Sequence, residues 1–118
     1  MELCNLTYLK SITPGNNAFA IQVIELFLKD ADDNINEITN SCSTNNWSEL
    51  YKNAHKIKPS VEMLGFPADM KEALLNINVL SKSETNIEKL VDLVNFFTSE
   101  IHSILKDLEN QLQQLKSE

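Results

Sequence analysis

The stretch "AFAIQVIELFLKDADDNINEITN", residues 18–40, decides the fold. Phe19, Val23, Ile24, Phe27, Leu28, Ala31, Ile35 and Ile38 recur in it at intervals of three and four, the spacing that gathers apolar side chains on one face of an α-helix. It predicts one amphipathic helix from about Ala18 to Asn40, whose stripe needs partners to bury it.

The flanking sequence supplies those partners. Upstream, "NLTYLKSI" reads as a short helical turn or two, ended by "TPGNN", where Pro14 and Gly15 punctuate the chain and Asn16 or Asn17 can cap the long helix. Downstream, "SCSTNN" reads as a loop before a helix that starts near Trp47, carries Leu50, Ala54, Ile57, Val61 and Leu64, and stops at Gly65. A further helix is expected from Pro67, a favourable first helical position, with Met70, Leu74, Ile77 and Leu80. Thr85 and Glu88 of "TNIE" have the spacing of a capping box ahead of a long last helix bearing Leu90, Leu93, Val94, Phe97, Ile101, Leu105, Leu108, Leu112 and Leu115. Four main helices joined by short loops imply an all-α fold, an antiparallel four-helix bundle with a short additional N-terminal helix. The tail "LKDLENQLQQLKSE" keeps heptad-like leucine spacing; either it protrudes or self-associates or, on the plainer reading, it is a bundle helix with a frayed polar end.

A chain of 118 residues supports one core, so residues 1–118 are expected to form a single domain. With 42% hydrophobic and 23% charged residues and only 2 Gly and 3 Pro, it reads as globular, and the scarcity of breakers favours long helices. The formal charge of -7, with 17 acids against 10 lysines and no arginine, argues against a nucleic-acid partner held through phosphates. Cys4 and Cys42 stand apart from each other and from any metal-ligand pattern; both read as structural thiols, with a reducing, cytoplasmic location as the default. No charged leader precedes an apolar core and no apolar run approaches about 18 residues, so the expectation is neither a signal peptide nor a membrane span.

The chemistry concentrates in "YKNAHKIKPSVEMLGFP", residues 51–67. At about 100° per residue, Leu50, Ala54, Ile57, Val61 and Leu64 cluster within roughly 40° of a common direction, and His55 points about 130° away from it. His55 is therefore expected in solvent, with Tyr51 and Lys52 one turn before it and Lys58 and Pro59 one turn after. Lys52, Lys56 and Lys58 face a single acid, Glu49, between Ile38 and Val61, so an acidic protein carries a local positive patch here. A neutral imidazole near pH 7 is a good nucleophile toward an activated phosphoryl group, and a lysine one turn away can stabilise the added charge. No Gly-rich phosphate cradle, aspartate pair for Mg²⁺ or Ser/His/Asp set accompanies it, so any phosphoryl group would be put on and taken off by other proteins. Spacing alone leaves three readings open: an ordinary surface histidine, which is the commoner case, a phosphoryl carrier, or a metal ligand. His102, between Ile101 and Ser103, reads as a plain surface or boundary residue.

"AHKIKPSVEMLG" resembles the signature of histidine phosphotransfer (HPt) domains, in which Ala-His is followed by an apolar residue at +2, Lys at +3, Gly at +4, Ser at +5 and Leu-Gly at +9 and +10. Ala54, His55, Ile57, Lys58, Ser60, Leu64 and Gly65 match. "LTYLKSI" and "GNNAFAIQVIELFL" are similar to the family's opening segment and first bundle helix, which extends the resemblance over essentially the whole chain. The resemblance implies a phosphocarrier without autonomous catalytic activity. His55 would take a phosphoryl group from a receiver-domain aspartate and pass it to another receiver in a multistep phosphorelay, with Lys58 stabilising the phosphate. Ala54, Ser60, Leu64 and Gly65 would be the structural positions of the motif. The implied partners are response-regulator receiver domains and a hybrid histidine kinase, docked on a surface of Tyr51, Lys52, Lys56, Pro59 and Glu62; the carrier itself is expected to be a monomer. Mg²⁺ belongs to the receiver, so no cofactor is expected on this chain.

Pro59 departs from the family's glycine at +4. Proline lacks the N–H that would bond the His55 carbonyl, and its ring crowds that carbonyl, so the helix should bend or loosen there. Either the bend is tolerated and the ring offers the receiver a flat apolar contact, or the site is impaired and the protein is an adaptor that binds receivers or other proteins without phosphotransfer. Ser60 points about 140° from His55, which makes it a small packing residue able to back-bond to a carbonyl.

Overall fold

The computed structural model describes residues 2–12 and 14–118; of the "TPGNN" break, Thr13 lies outside them. Asn5 Oδ1 accepts the Thr7 N–H at 3.0 Å and opens helix α1, Thr7–Ile12. Asn16 then caps α2, Asn17–Ser43, by accepting the Ala18 N–H at 3.1 Å. Asn46 caps α3, Trp47–Met63, through the Glu49 N–H at 3.2 Å. Two further helices, α4 (Ala68–Ser83) and α5 (Ile87–Lys116), complete the chain. The pairs α2/α3, α3/α4, α4/α5 and α5/α2 pack together, and α1 lies against α2. That closed order is the expected all-α, up-down-up-down bundle with a short N-terminal helix.

The stripes read from the sequence meet in one core. Ile24, Leu50, Ala54, Leu64, Ile77, Leu90, Phe97 and Leu108 are all fully buried. Each large side chain removed from water there contributes about 1.5–3 kcal/mol, and together they outweigh the modest helix propensity of any one segment. At about 1.5 Å per residue the 30 residues of α5 span the 46 Å long axis of the molecule.

Three expectations need correction. First, α2 ends at Ser43, three residues beyond Asn40, because "SCS" is only apparently loop-like: Ser41 and Ser43 return their hydroxyls to carbonyls of the preceding turn, at 2.8 Å to Glu37 and 3.1 Å to Asn40, and Cys42 is buried. Second, Pro67 is the N-cap of α4 and not its first helical residue, with φ -55 and ψ 150. Third, the capping box at Thr85 does not form. The connection between α4 and α5 turns on two left-handed residues, Glu84 and Asn86; Asn86 takes the N-cap position without a side-chain bond, and the Thr85 hydroxyl pairs with Ser83 at 2.7 Å. Of the two readings of the leucine-rich tail, protrusion is the one that fails. Leu112 and Leu115 are buried, Lys116 Nζ is 3.1 Å from Glu25, and Asn17 donates to Glu118 at 2.8 Å.

The N-terminal segment, residues 2–6, bonds to α5 at the start of this tail. Buried Asp107 accepts the Cys4 N–H at 2.9 Å, and Gln111 Nε2 bridges the Cys4 carbonyl and Asp107, both at 2.9 Å. Burial, and then the Asp107 carboxylate, push the Cys4 thiol up to about 12; burial also raises that of Cys42. The same segment reaches the end of α3, where the Asn5 N–H donates to the Gly65 carbonyl at 2.8 Å. Gly65 has φ +60, and a Cβ there would run into the Asn5 carbonyl. Left-handed geometry and close approach both require glycine at this point.

Candidate functional site

α3 sets the site. Leu50, Ala54, Ile57 and Val61 face the core, and Asn53 is fixed among them by its donation to the Glu37 carbonyl at 3.2 Å. With that face buried, the helix turns His55 outward, and it is exposed as expected. Pro59 lies inside α3 without dividing it: the helix runs unbroken from Trp47 to Met63, and the apolar stripe continues from Ile57 to Val61.

The imidazole is not loose. Its ring stacks on Tyr51, one turn earlier, with centroids 5.5 Å apart and planes 19° from parallel. Lys82 of α4 also lies over Tyr51, with Nζ 5.6 Å from the ring centre. Lys82 was invisible to spacing arguments on α3, because only the packing of α4 brings it over. Its signal was an exposed lysine in the last turn of a helix expected to neighbour α3.

The remaining candidate residues divide by the side of α3 they occupy. Lys58 is half-buried and, with Val61, Glu62, Lys71, Leu74 and Leu75, lines a groove between α3 and α4. Across that groove Lys71 Nζ lies 3.9 Å from Glu62. Lys56 makes an ion pair with Glu37 of α2 at 3.3 Å. Lys52 and Pro59 are exposed on the side between these two. Among the described residues, Lys52, Lys58 and Lys82 make no ion pair, although Glu62 and Glu72 line the same groove as Lys58. Ser60 is half-buried toward α2, beside Asp30 and Asn34; Ala54 and Leu64 are fully buried, and Gly65 ends the helix. His102 is exposed on α5, which packs mainly against α2 and α4.

Chemically, the arrangement offers one accessible ring nitrogen donor, an oriented ring, and unpaired ammonium groups within reach of an anion. Among the described residues no three His, Cys, Asp or Glu side chains converge as a metal-ligand group, and no helix is long and apolar enough to cross a membrane.

In comparison with known proteins, the family model described as the Hpt domain matches residues 22–118. The match opens inside α2, so α1 and the opening segment of the resemblance lie outside it. No curated protein and no solved structure matches the chain.

Proposed function

The chain belongs to the Hpt domain family, whose members are phosphocarrier modules of histidine phosphotransfer in phosphorelays, and on that premise we propose that His55 carries the phosphoryl group. The observation that supports this most is the exposed imidazole, stacked on Tyr51, with unpaired Lys58 one turn away inside the motif. In the forward step the free ring nitrogen attacks the phosphorus of a receiver's aspartyl phosphate. The N–P bond forms as the P–O bond breaks, and the electron pair of that bond returns to the aspartate carboxylate. The reverse step, on a second receiver, passes the group onward. Lys58 stabilises the phosphoryl charge from the α4 side.

Tyr51, Lys52, Pro59 and Glu62 form the docking face around His55, with Lys56 at its α2 margin. Receiver active sites are acidic, and the unpaired lysines steer this one face of an acidic protein toward them. We infer that residues 1–118 act as one domain, monomeric and cytoplasmic, between a hybrid histidine kinase and a response regulator, with Mg²⁺ supplied by the receiver.

Pro59, in place of the motif's glycine, supports a second reading, an adaptor that binds receivers without transfer. Incubation with a phosphorylated receiver domain separates the two. The carrier takes up acid-labile, alkali-stable label, His55→Gln takes up none, and His102→Gln behaves as wild type. Binding without label identifies the adaptor, and label persisting in His55→Gln sinks the assignment.

A further inference from the structure

Tyr51 stands four residues before His55 on α3, and helical side chains lean toward the N-terminus, so the imidazole comes to lie over the tyrosine. A pair of this kind on a helix surface is weak by itself and leaves both rings free to change rotamer. Here the tyrosine is held. It is half-buried, and the Lys82 ammonium lies over the same ring, 5.6 Å from its centre. Lys82 occupies the last turn of α4, where a cation is favoured. That turn is fixed by buried Ser81, whose hydroxyl donates to the Ile77 carbonyl at 2.6 Å. Among the described residues Lys82 has no ion pair to draw it off the tyrosine.

The geometry of the stack suits the reaction. Both imidazole nitrogens carry their lone pair or proton in the plane of the ring, so a partner on the ring face restrains the imidazole and leaves its reacting edge open. Attack on an aspartyl phosphate needs that edge aimed along the line of the breaking bond. A ring already held in one rotamer meets the requirement without losing side-chain freedom at each encounter.

We propose that Tyr51, beyond its place on the docking face, is a positioning residue for His55, and that Lys82 acts on the histidine only through Tyr51. This rests on the phosphocarrier reading. Both contacts are made by the tyrosine ring and not by its hydroxyl, so phenylalanine should replace Tyr51 and leucine should not.

The test is single-turnover transfer from a labelled, phosphorylated receiver to the full chain over a range of receiver concentrations. Positioning sets the rate at saturation, and docking sets the concentration that half-saturates it. Tyr51→Leu should lower the saturating rate about three- to tenfold, the factor by which one aromatic pair favours a conformation. Tyr51→Phe should keep the wild-type rate. Lys82→Met should lower it about two- to fivefold, and should add nothing in the Tyr51→Leu background, where the residue it acts through is gone. In wild type, the ring protons of His55 should resonate upfield of those of His102, which is exposed and makes no ring contact among the described residues. A saturating rate unchanged in Tyr51→Leu overturns the role of Tyr51, as do His55 ring protons that match those of His102. A Lys82→Met effect that persists in the Tyr51→Leu background overturns the route from Lys82 through Tyr51. Absence of label on wild type overturns the phosphocarrier reading itself, and this inference with it.

Discussion

At His55, packing holds the ring while charge conditions its surroundings. The stack on Tyr51 restricts the imidazole without burying it, and Lys82 above the same tyrosine ties the arrangement to α4. Lys58 is the one motif cation left unpaired on the groove side, since Glu62 is engaged by Lys71. Lys58→Ala should slow transfer or shorten the phosphohistidine lifetime by no more than about 1.5–3 kcal/mol, the worth of a hydrogen bond to a charged group. Screening by solvent pulls the effect toward the lower end. Transfer assays with a phosphorylated receiver and decay of the labelled protein measure it, and unchanged values would make Lys58 a solubilising residue. His55 and Lys58 were legible in the sequence because their relation is local, fixed by one helix and a motif spelled out in consecutive residues. Lys82 was not, because it reaches the site only through the packing of α4 on α3. The Lys56–Glu37 ion pair was not legible either, since its partner lies on a different helix.

Among the elements, α3 illustrates what spacing can and cannot decide. Its apolar stripe, its start at Asn46 and its stop at Gly65 follow from residue types whose preferences are strong and short-range. Where polar residues serve two structures equally well, as in "SCS" at the end of α2 or "TNIE" before α5, the choice is made by neighbouring carbonyls and by loop geometry, which a one-dimensional pattern does not carry. Gly65 joins the two kinds of information: the motif announces it, but only the fold reveals the Asn5 backbone against its Cα. Gly65→Ala combines a left-handed alanine, which costs about 1–2 kcal/mol, with displacement of residues 2–6. The loss of stability should reach at least about 2 kcal/mol, or about 8 °C in Tm for a chain of this size. Thermal denaturation checks this, and an unchanged Tm would mean that the N-terminal segment contributes nothing to holding α3.

For the whole molecule, the bundle follows from the sequence because four long stripes with short connections have few other ways to be buried. What escaped is how its ends are closed. Asp107 and Gln111 interrupt the apolar stripe of α5 with polar side chains, which read as surface until Cys4 is seen to bring its backbone to them. The net charge of -7 against a cluster of unpaired lysines gives the surface one face suited to an acidic partner. Transfer through that face is tested most directly by a two-receiver relay. A labelled, phosphorylated receiver is mixed with a second, unlabelled one, with the protein present, absent, or replaced by His55→Gln. Label should pass through the wild-type protein to the second receiver, and should stay on the first when the protein is missing or lacks His55. Passage that is independent of His55, or binding of both receivers with no passage at all, would contradict the phosphocarrier function.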